Sequence, residues 1–192
     1  MKLKIAKVIR ILTLAQLIAV ATLCTLFVCG RSFFANRPAL LVLGIIFLGV
    51  LPLLAYPLQP IVPGFRGKGR EGQRSLAMIF AVLGYVLGCV TNVFMNGTPQ
   101  LWIIYLEYLL SGVALLVFNK VFKLRASAHA CGIVGPAVML ASFGVWPALA
   151  VGAVAYGAAL WASLVMKRHT LPQFIGGALI PIVILIPLHL IF

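Results

Sequence analysis

From Ala126 to Met166 the chain runs without a single lysine, arginine, aspartate or glutamate. One helix over that stretch would be about 60 Å long, roughly twice the hydrocarbon thickness of a bilayer, so the segment has to turn back on itself. Gly144-Val-Trp-Pro147 is the predicted turn: proline stops a helix, and tryptophan favours a membrane interface. Five further apolar runs, at about 10–30, 38–60, 75–95, 101–119 and 171–191, are each long enough to cross a bilayer. Dividing the long stretch into 126–145 and 148–166 brings the expectation to seven spans, with six as the alternative. The runs are continuous rather than alternating, which argues against a β-barrel. With 64% hydrophobic residues and a mean hydropathy of +1.18, the chain reads as one all-α polytopic membrane domain over residues 1–192.

Charge then orients the bundle. Of 15 lysines and arginines, all but Arg31 and Arg37 fall in the N-terminal segment or in the loops around 61–74, 120–125 and 167–170. Seven spans put these segments on one face, which the positive-inside rule makes cytoplasmic, with the C-terminus outside. A net charge of +13 in short interhelical loops suits anionic lipid headgroups as partners and does not point to nucleic acid. The apolar run after Met1-Lys-Leu-Lys-Ile-Ala-Lys7 is too long for a signal peptide, and no small-residue cleavage site closes it. A retained helix is the expectation. Cys24, Cys29, Cys89 and Cys131 lack CxxC spacing and read as packing residues.

The chemistry-bearing residues are two histidines beside basic clusters. His129 follows Lys120, Lys123 and Arg125; His169 follows Lys167 and Arg168. Each precedes an apolar run, so both lie on the basic face, level with the loop that carries Lys68, Arg70 and Arg74. Hydrolysis of a phosphate ester needs a nucleophile, an acid for the leaving oxygen, and donors for the phosphoryl oxygens. Two histidines, Ser127 and cations from three loops supply those types. Thr170 is a predicted N-cap with Pro172 in the first turn, which directs helix amides toward His169. Gln173, four residues after His169, is placed to orient the imidazole. Only Glu71 and Glu107 are acidic and there is no aspartate, so neither a metal site nor a cofactor is expected.

These residues resemble the membrane-bound type 2 phosphatidic acid phosphatases, whose motifs are K-x6-R-P, P-S-G-H and S-R-x5-H-x3-D. Ala126-Ser-Ala-His129 is similar to the second motif. Ser163-Leu-Val-Met-Lys-Arg-His169-x3-Gln173, within Trp161 to Gly177, resembles the third, and Arg66-Gly-Lys-Gly-Arg-Glu-Gly-Gln-Arg74 stands in the place of the first. The resemblance implies a core over residues 61–180, with His169 as nucleophile and His129 as general acid. It also implies phosphate contacts from Ser127 and from Lys68, Arg70 or Arg74, while Lys123, Arg125 and Arg168 are placed to add charge. Two departures stand out: Ser163 occupies the position of the motif's arginine, and Gln173 that of its aspartate.

The leading expectation is a phosphatase of a lipid phosphate or polyprenyl diphosphate that works through a phosphohistidine. A catalytically impaired relative that binds anionic lipid or a partner enzyme is the alternative. Glu107 lies within the fourth span and is either a proton or cation site, as in a small transporter, or a hydrogen-bond partner of Tyr105, Tyr108, Ser111 or Tyr156. His189, near the other face without basic neighbours, reads as interfacial. Nothing in the sequence specifies an oligomeric state.

Overall fold

The computed structural model describes residues 1–192, and every regular element is helical. They are α1 (Lys2–Leu12), α2 (Ala15–Cys29), α3 (Pro38–Leu58), α4 (Gly69–Phe94), α5 (Pro99–Lys120), α6 (Ala128–Ser142), α7 (Pro147–Val165) and α8 (Leu171–Ile191), with one short 3-10 turn, Arg31–Phe34, between α2 and α3. Five of them, α3, α4, α5, α7 and α8, are long and apolar enough to cross a membrane. The pair α1 and α2, bent by 47°, makes a sixth if taken as one span. The expected count of seven is therefore not reached on length.

The shortfall lies in the predicted span 126–145, which is a helix of only 15 residues, about 22 Å long. Its N-terminus is delayed by an irregular loop in which Lys123 and Arg125 take left-handed backbone angles. Its C-terminus is fixed at Phe143 by Gly144, whose φ of +92° only glycine adopts freely. The chain then turns and restarts at Pro147, which opens α7 where a missing amide hydrogen is harmless. Although short, α6 is the hub of the bundle. Ten of its fifteen residues are buried, and it packs on α2, α5, α7 and α8.

Contacts at the helix ends sort the loops into two groups. At one end Thr98 donates to the Phe33 carbonyl at 2.7 Å, Arg37 donates to the Met95 carbonyl, and the Trp102 ring stacks on Phe192. Phe143 packs there against both Phe33 and His189. The other end gathers α1, the loop before α4 with its first turns, the end of α5 with the loop before α6, and the loop before α8, which together carry 13 of the 15 cationic side chains. From α2 to α8 the helices alternate between these ends, α6 included.

Small residues set the helix spacing. Gly84 faces the backbone of Phe47, in a π-helical stretch (Ile45–Val50) of α3, and Gly88 lies under the Tyr105 ring. Gly177 is the most consequential. A Cβ there would overlap the Ser127 carbonyl oxygen and sit 2.8 Å from its nitrogen, so only glycine lets α8 approach the start of α6 this closely. Gly176 next to it faces open space. Gly177→Ala is expected to destabilise the protein by about 1–3 kcal/mol through overpacking, measured as a lower midpoint of thermal unfolding in detergent. Gly176→Ala should leave that midpoint unchanged or raise it, because alanine is the better helix former.

Candidate functional site

At the basic end two helices begin side by side. Ser127 is the N-cap of α6, with its hydroxyl accepting from the Ala130 amide at 3.3 Å. Thr170 is the N-cap of α8, closed by a capping box in which Gln173 Oε1 accepts from the Thr170 amide at 3.2 Å. The Ser127 amide donates to the Gln173 carbonyl at 2.9 Å and joins the two first turns. Two positive helix-dipole ends thus converge. His129 is the second residue of α6, and His169 immediately precedes the α8 cap.

The histidines are close enough to act on each other electrostatically, and Arg10 acts on both. Arg74, from the second turn of α4, acts on Arg10 and His169, and Arg168 acts on Arg10. No carboxylate is among the groups acting on either ring. The result is a concentration of positive charge with no internal counter-ion, a combination that selects anions.

Arg10 and Thr13 are the residues that sequence reasoning missed. Arg10 Nη1 donates to Ser163 Oγ at 2.9 Å, bridging α1 to α7 across 153 sequence positions. Ser163 is fully buried. The guanidinium thus arrives at the position for which the resemblance calls for an arginine, but from a different helix. Thr13, at the bend between α1 and α2, has its oxygen 2.7 Å from His129 Nε2 and donates its own proton to the Ile9 carbonyl. A hydroxyl has one proton and a carbonyl can only accept. Nε2 of His129 therefore carries hydrogen and donates to Thr13. The signal available beforehand was that Arg10 is the one arginine in an N-terminal run of lysines.

Other candidates are placed variously. Arg125 is exposed at its side chain, and its backbone carbonyl approaches His169. Ser127 is fully buried and serves as a helix cap. Lys68 is exposed, with its ammonium 5.9 Å from the Phe65 ring centroid, and Arg70 and Lys123 are exposed without a recorded hydrogen bond. Gln173 has its oxygen committed to the cap, while its side chain still lies near enough to His169 to favour the charged ring. Nδ1 of His169 is buried and has no hydrogen-bond partner. Apart from Arg10 and Thr13, the assembly lies within residues 61–180.

Glu107 lies in a separate place. It is buried on α5 and accepts a hydrogen bond from Ser111 at 3.0 Å. It lines a cavity of about 200 Å³ between α2, α4, α5 and α6, whose other lining residues include Tyr108, Asn119, Ala128 and Arg74. On the other side of α6 an apolar groove of about 320 Å³ runs between α2, α6 and α7, from Ile133, one turn beyond His129, toward Pro147.

No family model, curated protein or solved structure matches this chain.

The surroundings of His169 set its titration. Desolvation first, then the charges of Arg10 and Arg74, hold its pKa below the usual 6.5, against the opposing pull of Gln173 and the Arg125 carbonyl. Well above pH 6.5 the ring is neutral in both folded and unfolded chains. As pH falls below 6.5 the unfolded chain takes up the proton first, so stability declines until the folded ring is also protonated. NMR titration of histidine-labelled protein should give a His169 midpoint below 6.5. Arg74→Ala should raise that midpoint, and Gln173→Leu should lower it further.

Proposed function

We propose that the protein is an integral membrane phosphatase that hydrolyses a lipid phosphate or isoprenyl diphosphate at its basic face through a phosphohistidine. The observation that carries this reading is the meeting of two imidazoles with Arg10, Arg74 and Arg168 at two helix N-termini, with no carboxylate acting on either ring. The roles are those implied by the resemblance to type 2 phosphatidic acid phosphatases.

In the first half-reaction, the neutral ring of His169 attacks phosphorus and the bond to the leaving alcohol oxygen breaks. His129 enters this step with both ring nitrogens protonated, passes its Nε2 proton to that oxygen and is left neutral. The hydrogen bond from Nε2 to the Thr13 hydroxyl supports this role, since it points that N–H at an alcohol-type oxygen. In the second half-reaction, water attacks the phosphohistidine, His129 takes its proton, and inorganic phosphate leaves. The arginines and the helix amides hold the equatorial oxygens, where the charge is spread. The depressed pKa of His169 keeps its ring neutral for attack at physiological pH.

The apolar groove beginning one turn from His129 suits the hydrocarbon tail of such a substrate, and favours a lipid ester over a soluble one. The bias of lysines and arginines makes the reacting face cytoplasmic.

A second reading, binding of an anionic headgroup without turnover, is favoured by one observation: Gln173, where a carboxylate would steady an imidazolium, is bound into the helix cap. The two readings differ in phosphate release. Purified protein in mixed micelles should liberate phosphate from phosphatidate or a polyprenyl diphosphate, and His169→Ala should abolish release. Equal release by both proteins would end the phosphatase reading. His129→Ala should slow hydrolysis of an alkyl ester about 100-fold or more, the usual worth of a general acid. It should act far less on a nitrophenyl ester, whose leaving group needs no proton.

A further inference from the structure

We propose that Arg10, on α1, is an anion ligand of this site: its guanidinium closes on the phosphoryl oxygens and supplies from outside the 61–180 core the fork that Ser163 cannot. The inference rests on the phosphate-ester reading of the site but concerns binding, which is measurable without turnover.

Four observations carry it. Arg10 is half-buried at the centre of the cationic group, where Arg74, Arg168 and both histidines are its electrostatic neighbours. Its one side-chain hydrogen bond, from Nη1 to the neutral Ser163 hydroxyl, leaves most of its five donors unused. A partly desolvated guanidinium without a carboxylate partner is unfavourable unless an anion completes it. Finally, Thr13, three residues on at the C-terminal cap of α1, bonds His129, so the end of α1 is applied to the site at two points.

These contacts also give the two hydroxyls a place in the proposal. Ser163 Oγ takes the hydrogen bond that a phosphoryl oxygen would take, and Thr13 Oγ1 takes the one that a leaving oxygen would take. A bound ester exchanges both hydroxyls for its own oxygens. Arginine, with its planar fork, fits this role better than the lysines on the rest of α1.

The test uses full-length protein in detergent with inorganic phosphate as the probe, its affinity measured calorimetrically for wild type and variants. Arg10→Ala is expected to weaken phosphate at least tenfold, and Arg10→Lys by a smaller factor. In the Arg10→Ala background, Ser163→Arg places a guanidinium at the same spot from α7 and should recover most of the affinity. Should those variants fold poorly, Arg10→Gln retains a donor for Ser163 while removing the charge, and should still lose the affinity.

Wild-type affinity in both Arg10→Ala and Arg10→Gln, or no phosphate binding by the wild type, would overturn the proposal. Unfolding at lower temperature with unchanged phosphate affinity would assign Arg10 a purely structural role and overturn it equally. Arg10-dependent binding by a protein that releases no phosphate from any lipid ester would uphold the ligand role and reject the phosphatase reading. Release that is abolished by His169→Ala but untouched by Arg10→Ala would do the reverse.

Discussion

A single close approach organises this protein: the first turn of α8 against the start of α6. The Ser127 amide donates to the Gln173 carbonyl, and Gly177 removes the side chain that would hold the backbones apart. Neither partner is replaceable in kind, because the bond is between main-chain groups and the gap admits no Cβ. From it follow the adjacency of two helix N-termini, the proximity of His129 and His169, and the burial of the Ser127 cap. The caps themselves stay polar and satisfied, as buried helix ends must be. What surrounds this junction is assembled from elsewhere: arginines from α1, α4 and the loop before α8.

Much of this arrangement was legible in the sequence, for identifiable reasons. Gly144 and Pro147 mark the turn in the long uncharged stretch because a left-handed angle and a missing amide hydrogen are local requirements. Thr170 announced itself as a cap through Pro172, whereas Gln173, read as an orienter of the imidazole, has its oxygen in the capping box instead. The placement of His129 and His169 at one end follows from counting alternating apolar runs. Arg10 was not legible, because nothing local ties residue 10 to residue 163; that contact is created by packing α1 on α7. The bend at Thr13 and Leu14 was equally hidden, since no proline or glycine marks it. The short α6 was overestimated because apolar composition continues beyond the residues that keep helical geometry.

Glu107 shows a different limit. Its sequence position announced an intramembrane carboxylate, and the structure gives it Ser111 as a partner and a cavity shared with Tyr108. The Tyr108 hydroxyl is buried without a hydrogen-bond partner. Gly135 comes close to the carboxylate, with a Cβ there lying 2.6 Å from Oε1, so α6 leaves room for it deliberately small. Polar groups of this kind inside a bundle fix the register of helices whose apolar faces would otherwise slide.

The absence of any carboxylate acting on the two histidines has a consequence for how the basic end behaves in a cell. Guanidinium groups and helix-dipole ends packed this closely repel one another, and within a Debye length of about 8 Å in physiological salt that repulsion is not fully screened. Small anions or headgroups from the adjoining leaflet are therefore drawn in as resting companions of the cluster. Arrival of any further anion is then a displacement of one by another. Occupancy becomes a competition set by the ionic makeup of the solution at that face and by the lipid composition of the membrane beside it.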